Sequence, residues 1–275
     1  MKLPGTYDYA SLDASGEASS AVFRMEARAS APASRALFEA LVRPLLTPEP
    51  HRILEVGAGT GALARKIAEA TSTSRILVTD KSHAMIAAAR KFAEGSAGQE
   101  RCVFAPWDVG AETPSEVSGT FELALSSVMV PYLSEAEIAR LISTLASRLA
   151  PGGVLAFVEQ DLQSNALNAA SASDVRNLFV RRGPQSAAYL PLRLRRLLRE
   201  EGLELLPRRS FLWTSERLCP YLRDLLGRAA DEAAAEGRLD RDRGQTLLGE
   251  LEALEEAGDF YYGLVYHLVA ASKPA

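Results

Sequence analysis

Five short apolar segments alternate with amphipathic helical segments between residues 52 and 158, and this alternation constrains the fold more than any other feature. Nearly continuous apolar runs of this length are typical of strands that are buried on both faces of a parallel sheet. Helical segments between such strands place helices on both sides of the sheet. The sequence therefore predicts a doubly wound α/β fold whose first five strands are Arg52–Val56, Arg75–Asp80, Arg101–Phe104, Phe121–Leu125 and Val154–Val158.

The segments on either side of this alternation predict additions to the same sheet. Two further apolar segments, Leu203–Trp213 and Phe260–Ala271, indicate the last two of seven strands, and the final strand is expected to be antiparallel. We expect one domain in three parts: an N-terminal arm with lid helices, a ligand-binding core, and a C-terminal part with substrate-side helices. These parts correspond to residues 1–50, 51–162 and 163–275.

A glycine-rich loop, Glu55-Val-Gly-Ala-Gly-Thr-Gly61, directly follows the first predicted strand. Glycines allow a sharp turn and the close approach of a ligand to the backbone. The N-terminus of the helix that follows offers free N–H groups. This pattern also fits the dinucleotide fingerprint, and Asp80 at the end of the second strand would hold the ribose of either kind of nucleotide. The negative charge of Glu55 suits a cationic amino group and opposes a pyrophosphate.

Three features weigh against a nicotinamide-dependent oxidoreductase, although the loop alone leaves that function open. The loop begins after about fifty residues, behind a helical segment. The sequence contains no Tyr-x-x-x-Lys pair of the short-chain dehydrogenase kind. The C-terminal part has the pattern strand, helices, strand, without a second catalytic domain.

Composition and charge narrow the class of partner. The 31 Lys and Arg residues and 35 Asp and Glu residues give a net charge of −4, which lacks the basic footprint of a nucleic-acid-binding protein. No apolar run is long enough to cross a membrane. The first twenty residues lack the pattern of a secretory signal, and the two cysteines, Cys102 and Cys219, do not make a disulfide framework. We expect a cytoplasmic monomer or homodimer that acts on a small molecule.

The glycine loop and three later segments resemble the class I S-adenosylmethionine-dependent methyltransferases of the bacterial small-molecule type. Ile53–Gly61 resembles their motif I, and Trp107-Asp108-Val109 resembles their adenine-edge motif. Leu149–Val154 and Phe260–Pro274 resemble the turn before their fifth strand and their last strand. The resemblance implies a Rossmann-like sheet, S-adenosylmethionine as the cofactor, and cofactor-binding roles for Arg28, Glu55, Gly57, Ala58, Gly59, Gly61, Asp80, Lys81, Met85, Trp107, Asp108, Val109, Ser126 and Ser127.

Each of these residues has an implied place along the cofactor. Glu55 and the glycine loop would face the methionine moiety, and Asp80 would accept hydrogen bonds from the ribose hydroxyls. Either Arg24 or Arg28 would pair with the methionine carboxylate. Around the adenine and under the sulfonium, the implied residues are Lys81, Met85, Asp108, Ser126 and Ser127.

The implied activity is methyl transfer to a small, partly apolar acceptor, which we expect to be a specialised metabolite. The alternative is a methyltransferase-like protein that binds the cofactor and shapes a substrate for cyclisation or rearrangement without methyl transfer. Glu159 and His267 are the candidate bases. Because Ser126-Ser127 replaces the acid of the catechol-type metal site, we predict no metal. Four aromatic residues are candidates for the acceptor pocket, although such residues often belong to the core: Tyr189, Trp213, Tyr221 and Tyr261.

Overall fold

The structure is a computed structural model that describes residues 7–9, 11–169, 171–179 and 190–275. Its eight strands are β1 (Arg52–Val56), β2 (Arg75–Asp80), β3 (Cys102–Pro106), β4 (Phe121–Ser127), β5 (Leu149–Leu167), β6 (Glu204–Leu205), β7 (Arg209–Ser215) and β8 (Tyr262–Ser272). They form one sheet of order β3-β2-β1-β4-β5-β8-β6, and β7 also pairs with β8. The first five strands are parallel, and β8 runs antiparallel to β5, β6 and β7.

In the described residues, ten α-helices connect and cover these strands. The N-terminal ones are α1 (Leu12–Ser15), α2 (Ala18–Ala29) and α3 (Pro32–Leu37). The helices between the parallel strands are α4 (Ala62–Ala70), α5 (His83–Ala93) and α6 (Glu135–Ser147). The C-terminal ones are α7 (Ala172–Phe179), α8 (Leu190–Glu200), α9 (Pro220–Ala235) and α10 (Arg241–Ala257). In the described ranges, no helix is both long and apolar enough to cross a membrane.

The predicted fold class is confirmed. Successive side chains of β1 point to opposite faces of the sheet, and both faces are covered by helices. Ile53 packs in one core cluster with Ile67 of α4, whereas Leu54 packs in another with Leu141 of α6. A capping box begins α6, where the Ser134 hydroxyl accepts from the N–H of Glu137 and the Glu137 carboxylate accepts from that of Ser134.

The C-terminal part departs from the predicted boundaries in two places. The segment predicted as one strand over Leu203–Trp213 is divided into β6 and β7, which makes eight strands. Pro207 lies in the gap and has no N–H to donate to β8. β5 extends past its predicted end at Val158 to Leu167, because it stays paired with β8 around a bulge after Asp161.

The N-terminal arm packs against the core. Tyr7 has no exposed surface, and its ring lies 4.6 Å from the guanidinium carbon of Arg24 and 3.8 Å from that of Arg228. The Asp13 carboxylate accepts hydrogen bonds from the Ser82 hydroxyl and from the backbone N–H groups of the first turn of α5. The arm is therefore fixed to both α5 and α9 at the carboxyl edge of the sheet.

Candidate active site

A cavity of about 330 Å³ lies at the carboxyl ends of the parallel strands, next to the point between β1 and β4 where the strand order reverses. Open α/β sheets bind ligands at such a point. The loops after β1 to β4, helix α2 and the N-terminal arm form its walls. Most of the predicted cofactor residues line it: Arg28, Glu55, Gly57, Ala58, Gly59, Asp80, Lys81, Met85, Trp107, Asp108, Val109 and Ser127.

Two predicted cofactor residues lie behind the cavity wall. Gly61 adopts a φ of +68° and donates its N–H to the carbonyl of Ala58. It therefore stabilises the turn of the loop and does not line the cavity. Ser126 has no exposed surface, and its hydroxyl has no hydrogen-bond partner among the described residues. Ser127 is the serine of this pair that reaches the cavity.

The lack of space around positions 57 and 59 of the loop explains why both are glycine. Gly57 has a φ of +67°, and a Cβ there would lie 2.3 Å from Sδ of Met129. A Cβ on Gly59, whose φ is +55°, would lie 2.6 Å from Sδ of Met25. A left-handed conformation costs a residue with a Cβ roughly 1–2 kcal/mol even without such contacts. The bare backbone therefore forms a cradle that any larger residue would fill.

Asp80 joins the glycine loop to helix α5. Its Oδ2 accepts from the N–H of Gly59 at 2.8 Å, and its Oδ1 accepts from the N–H of Ser82 at 2.9 Å. Burial raises the pKa of this carboxyl, while the two N–H groups act in the opposite direction. Each oxygen keeps a second lone pair, so the carboxylate retains acceptor capacity toward the cavity.

Glu55 places a buried carboxyl in the cavity wall. It is 2% exposed, and burial raises its pKa to about 8. Its Oε2 has no hydrogen-bond partner in the described part of the chain. A buried polar atom without a partner is costly and indicates a ligand group that satisfies it. The glycine cradle and this oxygen fit the amino end of a methionine moiety.

Trp107, Met85 and Asp108 line another part of the cavity. Trp107 and Met85 are buried there, and Asp108 turns the chain by accepting the N–H of Gly110 at 2.8 Å. Leu12 of the arm packs against Met85 and also lines the cavity. A slot lined by the apolar side chains of Trp107 and Met85, with the Asp108 carboxylate also in the lining, fits an adenine ring.

A second, smaller cavity of about 50 Å³ adjoins the first and shares several side chains with it. Of the predicted acceptor residues, Tyr221 lines both cavities. Trp213 is buried and donates to the Ser34 hydroxyl at 3.0 Å, Tyr261 lines neither cavity, and Tyr189 lies outside the described residues. Sequence reasoning missed other aromatic and polar side chains of these walls: Tyr9, Tyr132, Gln160 and Tyr266.

The two candidate bases do not line either cavity. Oε1 of Glu159 accepts from the N–H groups of Met129 and Val130, both at 3.3 Å, and burial raises the pKa of Glu159 to about 8. The Nδ1 atom of His267 lies 2.7 Å from the Ser210 hydroxyl, on the side where β7 pairs with β8. Glu159 therefore contacts the loop after β4, and His267 contacts the neighbouring strand.

The two arginines of α2 differ in their pairing. Arg24 is buried and forms an ion pair with Asp224. Arg28 lines both cavities, and no carboxylate oxygen of the described residues lies within 4.0 Å of its guanidinium. Arg28 is thus a cation that can accept an anionic ligand group. The same described residues include no cluster of three His, Cys, Asp or Glu side chains that could hold a metal ion.

The sheet order, the glycine cradle and the acid at the end of β2 agree with the fold of the class I S-adenosylmethionine-dependent methyltransferases. Residues 53–153 match the family model described as "Methyltransferase domain". That segment runs from β1 to the turn inside β5 and supplies most of the larger cavity.

One curated relative carries a methyltransferase name, and two solved structures share the fold. The chain is 37% identical over 114 residues to a protein named trans-aconitate 2-methyltransferase from Streptomyces avermitilis. This match covers 42% of this chain and 40% of the relative. The chain therefore matches about two-fifths of that relative's length. The N-methyltransferase NodS from Bradyrhizobium japonicum WM9, solved with S-adenosylhomocysteine, is 18% identical, covers 90% of each chain and has a TM-score of 0.50. A phosphoethanolamine N-methyltransferase from Haemonchus contortus, solved with S-adenosylmethionine, is 16% identical, covers 98% of this chain and 60% of its own, and has a TM-score of 0.52.

Proposed function

We propose that this chain transfers the methyl group of S-adenosylmethionine to a small, partly apolar acceptor, a specialised metabolite. The observation that carries the proposal is the cavity at the strand-order reversal, where the glycine cradle, Glu55 and Asp80 meet. Bound S-adenosylmethionine supplies an electrophilic methyl group. The chain's own residues bind, orient and shield the reactants.

Four groups would hold the cofactor. Glu55 would face its amino group, since Oε2 of Glu55 has no partner among the described residues. Arg28 would pair with its carboxylate, because Arg24 is already paired with Asp224. Asp80 would accept from the ribose hydroxyls, and the slot beside Trp107 would take the adenine. Lys81, Met85, Asp108, Val109 and Ser127 complete this proposed set, whereas Ser126 lies behind the cavity wall.

Positioning supplies much of the catalysis in this scheme. Holding two reactants in line and close together replaces the entropy cost of their encounter. The arm and α2 form part of the cavity wall, which limits the access of water to bound reactants. Glu159 holds the loop after β4, whose residue Val128 has an unusual φ of +55° and lines both cavities. The raised pKa of Glu159 keeps this carboxyl largely protonated at neutral pH, so we propose that it positions the loop.

The test is incubation of the purified chain with [methyl-14C]S-adenosylmethionine and a set of small acceptors, followed by chromatography of the products. Trans-aconitate belongs in the set because the Streptomyces relative is named for it. Label in a product that the Gly59→Val variant fails to form supports methyl transfer. A product formed without label, with the mass of its precursor, would contradict it and support cyclisation or rearrangement.

A further inference from the structure

The second cavity has aromatic walls and few charges. Phenol rings, Phe179 and leucine side chains surround it, and its only charged lining residues in the described ranges are Arg24 and Arg28. Asp224 neutralises Arg24. In the proposed function the carboxylate of the cofactor neutralises Arg28. Once the cofactor is bound, this cavity therefore offers hydrogen-bonding groups without net charge.

Two polar side chains of this cavity, Asn165 and Tyr262, are already hydrogen-bonded within the protein. The Tyr262 hydroxyl donates to Oδ1 of Asn165 at 2.5 Å, and Nδ2 of Asn165 donates to the carbonyl of Leu162 at 2.5 Å. These bonds close the bulge of β5 around residues 161–166. Asn165 and Tyr262 are thus fixed as a wall.

Gln160 is different. It is 7% exposed, lies on β5 and lines the second cavity. Its Nε2 donates to the Tyr266 hydroxyl at 2.6 Å, which fixes the orientation of the amide. Within the described chain its carbonyl oxygen Oε1 has no hydrogen-bond donor. This oxygen is not among the fully buried unpartnered atoms, so a donor group in the cavity can reach it. A ligand that covers the oxygen without donating to it would lose the hydrogen bond that water can give.

Tyr266 extends this arrangement into the larger cavity, which it lines. Burial raises the pKa of Tyr266 to about 12, so its hydroxyl stays protonated. The hydroxyl accepts from Gln160 and keeps its own proton for a further hydrogen bond. The pair therefore presents one acceptor atom and one donor atom at the junction of the two cavities.

We propose that the second cavity is the acceptor site, and that it selects an uncharged acceptor that donates an O–H or N–H hydrogen bond to Oε1 of Gln160. This proposal rests on the proposed function, since it places the cofactor in the larger cavity. An anionic acceptor would find Arg28 occupied. A neutral acceptor without a donor would leave the Gln160 oxygen buried and unsatisfied.

The experiment uses three probes of similar shape on the chain saturated with S-adenosylhomocysteine: benzamide, benzoate and methyl benzoate. Benzamide donates N–H bonds, benzoate is an anion, and methyl benzoate has no donor. Titration calorimetry is expected to show benzamide binding about tenfold more tightly than either of the others, which corresponds to roughly 1.4 kcal/mol. Tighter binding of benzoate, or equal binding of benzamide and methyl benzoate, would overturn the proposal.

Two variants test whether Gln160 causes this difference in affinity. Gln160→Met should lower benzamide affinity about tenfold, to the level of methyl benzoate, and leave the S-adenosylhomocysteine Kd within twofold of wild type. Gln163→Leu is the matched control on the same strand, because Gln163 is exposed and lines neither cavity. Unchanged benzamide affinity in Gln160→Met would refute the role of Gln160. Failure of wild type to bind S-adenosylhomocysteine would instead refute the proposed function.

Discussion

Replacing Asp80 by alanine removes the carboxylate that links the glycine loop, α5 and the proposed ribose site. In the free protein it accepts two hydrogen bonds, from Gly59 at 2.8 Å and from Ser82 at 2.9 Å. With the cofactor bound it would also accept from the ribose hydroxyls. A hydrogen bond to a charged group contributes about 1.5–3 kcal/mol. Loss of one such bond already exceeds the roughly 1.4 kcal/mol that separates one decade of affinity.

Asp80→Ala should therefore weaken S-adenosylhomocysteine binding at least tenfold, as measured by titration calorimetry. Asp80→Asn should lose less affinity, because its amide oxygen still accepts one set of hydrogen bonds. Some loss is still expected, because its NH2 group would face an N–H donor and cannot accept from it. Asp231→Ala on α9 is the matched control, since Asp231 is exposed and lies outside the cavity lining. An Asp80→Ala protein that is folded and binds within twofold of wild type would refute the assignment of Asp80 to the ribose.

Three further predictions concern the loop and the buried acids. Gly57→Ala should lower the affinity for S-adenosylhomocysteine at least tenfold, because the added Cβ would meet Met129. Gly227→Ala is the control and should bind as wild type does, because Gly227 has open space around it. Calorimetry on both variants checks this prediction. Glu159→Gln should keep methyl transfer within about threefold in the labelled-cofactor assay, because the amide oxygen still accepts from Met129 and Val130; a loss above a hundredfold would identify Glu159 as the base. The free energy of unfolding should fall as pH rises from 4.5 to 8, because Glu55 and Glu159 hold their protons to about 8 when folded but release them near 4.5 when unfolded. Urea denaturation at several pH values should show a shallower fall in Glu159→Gln, by up to about 1.4 kcal/mol per pH unit, and an identical slope would contradict this.

The core of the fold was predictable because its strands are buried on both faces. In the run Ile53–Val56 the only polar residue is Glu55, the acid that faces the cavity. The glycines that follow adopt positive φ values, which residues with a Cβ rarely adopt. The order of motifs along the chain then fixes their places at the carboxyl edge. For that reason most of the predicted cofactor residues line one cavity.

The acceptor side was less predictable because contacts distant in sequence decide it. Tyr9, Tyr132 and Tyr221 meet at the second cavity, although the arm, the loop after β4 and α9 supply them separately. From the sequence, Trp213 and Tyr221 are equally good candidates for the acceptor pocket because both are aromatic. In the structure Trp213 lies in the core and donates a hydrogen bond to Ser34. The bulge that brings Gln160 and Asn165 to one wall depends on pairing between β5 and β8, which no local pattern encodes.

The measurement that tests the central claim most directly is a calorimetric comparison of S-adenosylhomocysteine with NAD as ligands of the wild-type chain. The account predicts that S-adenosylhomocysteine binds with one site per chain, that Gly59→Val abolishes this binding, and that NAD gives no heat of binding at the same concentrations. Binding of NAD without binding of S-adenosylhomocysteine would contradict the assignment of the larger cavity to the methyl donor.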